Sequence, residues 1–185
     1  MELMRTTLGC IPCFFRQAET AAKLAGADTK TSKKILDEIA GLIPAISLTE
    51  RPPQIGEKVY EIVKRAAGCN DPFEKIKRLH NEEVLSMYGQ LRQRIQQSPE
   101  PLLMSVKFAA AGNVIDYGVP GEFDLRSEMD NIVDKGFTVF DYEDFKQSIN
   151  SADNILYIGD NAGEIVFDKL LIEQLDKDVV YAVRG

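Results

Sequence analysis

The residue types best suited to chemistry stand together in Gly159-Asp160-Asn161-Ala162-Gly163-Glu164, directly after the apolar run NILYI. Asp160 brings a carboxylate and Asn161 a neutral amide oxygen. That pair of hard oxygen donors suits a divalent cation such as Mg²⁺ or Mn²⁺. Ala162 and Gly163 are small and let a ligand approach the backbone. A helix starting here would aim its first amides at the same place, which favours a phosphate. Glu164, in the first turn, can accept hydrogen bonds from hydroxyls. The segment therefore has parts for a metal, a phosphate and a polyol. The plainer alternative is an Asp-Asn helix cap, worth about 1 kcal/mol to the helix and nothing to catalysis.

A second cluster is Ala111-Gly112-Asn113-Val114-Ile115-Asp116, at the end of an apolar helix-like stretch. Asn113 and Asp116 could face a pocket. A helix C-cap explains Gly112 and Asn113 equally well, since both residue types tolerate a left-handed backbone. Cys10 and Cys13 form a Cys-x-x-Cys, with Cys69 the third thiol of the chain. Structural zinc needs four ligands, and Cys69 with His80 completes no common spacing. No thioredoxin-like strand precedes the motif. Buried, packing thiols at a helix start are the simpler expectation. His80, in a charged amphipathic helix, reads as a solvated surface residue.

The elements that must position these groups fall in two halves, 1–112 and 113–185. The first reads as helix after helix. Apolar positions recur near the 3.6 period in CIPCFFRQAETAAKLAG, TKTSKKILDEIAGLI and PPQIGEKVYEIVKRAAG, and again in the long PFEKIKRLHNEEVLSMYGQLRQRIQQS. PLLMSVKFAAAGN is apolar nearly all round, which predicts burial. The rhythm then changes. A turn-rich YGVPGEFD and a helix over SEMDNIVDK lead to a short strand FTVF. The helix YEDFKQSIN follows, then the strand NILYI, the helix EIVFDKLLIEQLDK and the strand DVVYAV. Alternating strands and helices predict an α/β fold with a parallel sheet. In such sheets ligands sit beyond the carboxyl ends of the strands, where Asp160 falls. Three short strands make a thin sheet, so we expect either a fragment or an edge completed by another chain, as in an oligomer.

Composition narrows the partners. The 185 residues carry 22 Lys+Arg and 29 Asp+Glu, a formal charge of −7. That balance argues against a nucleic-acid backbone as partner. No apolar run reaches the ~20 residues of a membrane helix. The start shows no secretory signal, and three thiols are not a disulfide framework. Together these predict a cytoplasmic protein, and they leave room for a small phosphorylated ligand, since a bound metal can supply the positive charge.

Taken in order along the chain, several pieces resemble the metal-dependent damage-control phosphatases (ARMT-like, also called domain of unknown function 89), in the smaller prokaryotic-type branch. They are Cys10-Ile11-Pro12-Cys13 with Arg16-Gln17, Asp71-Pro72-Phe73 with Lys75 and Lys77, Ala111 to Asp116, and Gly159 to Glu164. The resemblance implies a helical region packed on a Rossmann-like α/β domain, incomplete here at its C-terminal side. It implies hydrolysis of phosphate monoesters such as sugar phosphates with Mn, Co, Ni or Mg. By position, Asp160 and Asn161 would be catalytic metal ligands, and Asn113, Asp116, Ala162, Gly163 and Glu164 would bind substrate. A further acidic ligand and a phosphate-holding Lys of the family pattern lie beyond Gly185. The nucleophile would be water rather than Asp160, because the Asp-x-Asp spacing of aspartyl-phosphate enzymes is lacking. Three alternatives compete: a sugar-phosphate or metal-binding module without turnover, a structural helical scaffold, and a methyltransferase on a Rossmann-like scaffold. The last would want a Gly-rich loop at another spacing.

Overall fold

The computed structural model of the chain describes residues 4–114, 131, 133 and 137–183. These form helices α1 (Cys10–Leu24), α2 (Thr29–Leu42), α3 (Pro52–Ala67), α4 (Glu74–Gln97), α5 (Pro101–Val114), α6 (Tyr142–Ser151) and α7 (Glu164–Ile172), with strands β1 (Asn154–Ile158) and β2 (Asp178–Ala182). The architecture is α/β, mostly helical with a small parallel sheet. Packing divides the chain between Ile76 and Lys77 into two compact units. This division is distinct from the change of rhythm near residue 112, which marks where helices give way to alternating elements.

In the first unit α1, α2 and α3 pack against one another. Their predicted stripes supply one core: Phe14, Ala18, Ala21 and Ala22 from α1, Ile35 and Ile39 from α2, and Ile55, Val59 and Val63 from α3. Local signals bound the helices. Asp28 Oδ1 accepts from Thr31 N at 2.7 Å and caps α2. The backbone turns left-handed at Gly26 after α1 and at Gly68 after α3.

In the second unit the core joins Val84, Met87, Leu91 and Ile95 of α4 to Phe108 of α5 and Val166, Phe167 and Leu170 of α7. Still within the first unit, Asp71 Oδ1 accepts from Phe73 N at 2.8 Å just before α4 begins. Burial along α5 is partial: Ser105, Phe108, Ala111 and Gly112 are buried, Asn113 is exposed, and the other residues from 101 to 110 are half-buried. β1 and β2 pair in parallel with Asn154 opposite Asp178, Tyr157 opposite Tyr181 and Ile158 opposite Ala182. α7 connects them as a crossover.

Two expectations change, the strand at FTVF and the length of the last helix. FTVF forms no strand. The rings of Phe137 and Phe140 stack at 5.6 Å, and Phe140 on Tyr142 at 5.7 Å. Residues three apart face opposite sides of a strand, so stacking 137 on 140 requires a bend. The apolar run of β1 and β2 also does not mean two covered faces. Burial alternates along both strands, and Leu156, Ile158 and Val180 are more than 60% exposed. The last helix is shorter than its pattern, ending at Ile172 in a turn. Of the helix read in SEMDNIVDK, Asn131 and Val133 are described, both helical, with Val133 buried. YGVPGEFD and Asp116 lie outside the described residues. Among the described residues no helix is long and apolar enough to cross a membrane.

Candidate active site

The site is built where β1 ends. Gly159 N–H still donates to Ala182 O at 2.9 Å, continuing the ladder one residue past the strand. Asp160 and Asn161 follow, both exposed, beyond the carboxyl end of the sheet. The chain then turns through Gly163 at φ 82°, ψ −47° and enters α7 at Glu164. A side chain at Gly163 would be strained in that conformation.

Glu164 organises the loop. The residue is only 8% exposed, and burial of a carboxylate needs bonded partners. Oε1 accepts from Asn113 Nδ2 at 3.0 Å, and Oε2 accepts from Asn161 N and Nδ2, each at 3.3 Å. A carboxylate only accepts, so both amides present their nitrogen ends to it. The Oδ1 of Asn161 is therefore the end turned away from Glu164. This network is more than the local cap considered above, because it draws in α5 from 51 residues away.

The reach from α5 depends on a close approach. A Cβ on Gly112 would stand 2.5 Å from Phe167 Cδ2. Glycine at 112 lets the two helices touch, which carries the next residue, Asn113, to Glu164. Asn113 remains within α5 rather than closing it as a left-handed cap.

Asn81 of α4 is a member that its sequence context did not single out. Its Oδ1 accepts from Gly163 N at 2.6 Å. Two amides of the loop are thus already engaged, Asn161 N by Glu164 and Gly163 N by Asn81. One of the amides expected to cradle phosphate, that of Gly163, is turned to protein. The only signal for Asn81 was its position on the same helix face as the core residue Val84, three residues on.

The remaining candidates sit elsewhere. Cys10 and Cys13 are half-buried rather than buried, and none of the three cysteines is in a disulfide. Cys10 Sγ accepts from Thr7 N at 3.4 Å, which with the Thr7 hydroxyl holds its thiol below the usual range. His80 is half-buried rather than solvated, and burial lowers its affinity for a proton. Among the described residues no three His, Cys, Asp or Glu side chains converge to hold a metal. A depression of about 520 Å³ lined by Asp153, Ile172, Lys177 and neighbours lies at the amino ends of the strands, the wrong end for Asp160.

Comparison with known proteins is consistent along the chain. Residues 6–185 match the family described as the damage-control phosphatase ARMT1-like domain. A damage-control phosphatase of Archaeoglobus fulgidus is 29% identical over 178 residues, covering 91% of this chain and 59% of its own length. One from Pyrococcus horikoshii is 26% identical, covering 93% of this chain and 60% of its own length. The crystal structure of a DUF89 family protein from Pyrococcus horikoshii superposes with a TM-score of 0.80 at 25% identity, over 99% of this chain and 65% of that one. The chain therefore spans about 60% of the length of the relatives it matches.

Proposed function

The chain belongs to the damage-control phosphatase ARMT1-like family, and we propose that it serves as a metal-dependent phosphatase hydrolysing phosphate monoesters of small metabolites such as sugar phosphates. The observation that carries this reading is the loop after β1. There Asp160 and Asn161 lie side by side and exposed, with the Nδ2 of Asn161 taken by Glu164. A carboxylate and an amide Oδ1 turned outward are a hard, oxygen-only donor pair. This fits Mn²⁺, Mg²⁺, Co²⁺ or Ni²⁺ better than a thiophilic ion. Such ions commonly keep several waters, so two protein donors are an acceptable contribution.

Asp160 and Asn161 would hold the cation. When bound, it supplies positive charge against the phosphoryl oxygens. Glu164 fixes the Asn161 amide in orientation and holds Asn113 beside it. From there Glu164 and Asn113 bind the hydroxyls of the substrate. Ala162 and Gly163 leave room for the phosphate, and Asn81 keeps the Gly163 turn in place. Asp116 is a further substrate contact by family position. We place the protein in the cytoplasm, where its three thiols stay reduced.

Phosphate release from a panel of sugar phosphates and p-nitrophenyl phosphate tests this. The protein is stripped with chelator and given Mn²⁺, Co²⁺, Ni²⁺ or Mg²⁺ in turn. We expect release only with metal, and a fall of about 100-fold or more in Asp160→Ala. A second reading, binding without turnover, is favoured by one observation: among the described residues no three His, Cys, Asp or Glu side chains converge on a cation. It predicts metal-dependent thermal stabilisation by sugar phosphate with no release.

A further inference from the structure

Asp168 takes no part in the site described so far, yet it is the most deeply buried carboxylate among the described residues, 1% exposed. Both of its oxygens are bonded, as such burial requires. Tyr157 Oη donates to Oδ1 at 2.6 Å, and Tyr181 Oη donates to Oδ2 at 2.7 Å. The two phenols come from adjacent strands at paired positions, with ring centroids 5.5 Å apart. Asp168 thus ties α7 to both strands at once. Burial raises the proton affinity of Asp168 and of both phenols, as expected for a dry cluster.

The tie reaches the loop through Tyr181. A Cβ on Gly159 would stand 2.0 Å from Tyr181 Oη and 2.5 Å from Cζ. The phenol therefore lies directly on the Gly159 backbone. Gly159 is held along the strand by Ala182 O and across its Cα by this ring, and the next residue is Asp160. At the far side of the same loop, Glu164 holds Asn161 through N and Nδ2. Glu164 and Asp168 are four residues apart, on one face of α7. Two carboxylates of one helix face grip the loop from both ends.

We infer that Asp168, acting through Tyr157 and Tyr181, is a positioning residue that fixes the strand exit at Gly159 and so sets the aim of Asp160 and Asn161 as a cation-binding pair. This rests on the reading of those two residues as cation ligands. Groups that orient metal ligands typically change metal affinity by 10–100-fold when removed.

The test uses the 185-residue chain and Mn²⁺ alone, with affinity measured by calorimetry and amide hydrogen exchange followed at Gly159 and Asn161. The variants are Asp168→Ala, Asp168→Asn and Tyr181→Phe, with Leu170→Ala as a core substitution that lowers stability generally. In Asp168→Ala we expect Mn²⁺ affinity to fall about 10-fold or more and exchange at both amides to quicken. Leu170→Ala should leave affinity near that of the wild type. Asp168→Asn keeps one acceptor and can donate from Nδ2 to the other phenol oxygen, so it should recover most of the loss. Tyr181→Phe keeps the ring on Gly159 and loses one bond. It should show an intermediate loss, and it decides the matter if the alanine variant does not fold. Unchanged affinity and exchange in Asp168→Ala, or in Tyr181→Phe where it stands in, overturn the inference alone. So does a loss no larger than in Leu170→Ala. A wild-type chain that binds no Mn²⁺ overturns the cation reading and this inference with it.

Discussion

Glu164 shows how much rests on one side chain. It receives three hydrogen bonds from two asparagines while 8% exposed. Glu164→Ala would orphan those donors. We expect a loss of about 1–3 kcal/mol by urea unfolding and a larger proportional loss of phosphate release, because Asn161 would no longer be held. Asp168 gives a pH signature. Burial outweighs its two phenol bonds and raises its proton affinity. The folded protein then keeps a proton that the unfolded chain, with an ordinary value of about 4, has already released. Stability should fall as pH rises from about 4 through the raised value and level off above it. Asp168→Asn should remove that slope from urea midpoints measured between pH 4 and 7. Asp160, Asn161 and Glu164 were legible because strand-to-helix joints are where open α/β sheets place ligands. Asn81 was not, since a single amide in a charged helix looks like surface until the fold sets it against Gly163. Asp168 left a faint trace, a carboxylate set within the apolar IVFDKLLI one turn after Glu164.

At the scale of elements, the contact between α5 and α7 decides whether Asn113 belongs to the site. Gly112→Ala would drive a Cβ to 2.5 Å from Phe167 Cδ2. Overpacking of this kind costs about 1–3 kcal/mol. We expect that loss in a urea titration together with weaker substrate binding, seen as a raised KM, because the helices must separate where Asn113 meets Glu164. The helical stripes of α1 to α3 were legible because period and burial agree there; in α4 they agree from Val84 onward, whereas Leu79, inside by the same period, is 45% exposed. FTVF failed for a physical reason: its aromatic and β-branched residues suit a strand, but rings at 137, 140 and 142 stack along one side of a bend. The apolar run of β1 was legible as a strand and misleading about burial, since composition does not say which faces are covered.

At the scale of the whole molecule, the described residues form two cores without a shared member, and every described site residue belongs to the second unit. The α/β class followed from the alternation after residue 137, and the family from motifs spread over nearly the whole chain. The division of packing at Ile76 was not legible, because α4 and α5 read as more of the same helical pattern. Only their contacts with α7 assign them to the unit of the strands. We propose that Asp160 and Asn161 hold the ion on which hydrolysis depends. The most direct measurement is hydrolysis of p-nitrophenyl phosphate by chelator-stripped protein as Mn²⁺ is added, for the wild type and for Asp160→Ala. The account predicts a rate that rises from near zero to a plateau in the wild type and stays flat in the variant, with both folded. Hydrolysis independent of Mn²⁺, or a titration curve that Asp160→Ala reproduces, would contradict it.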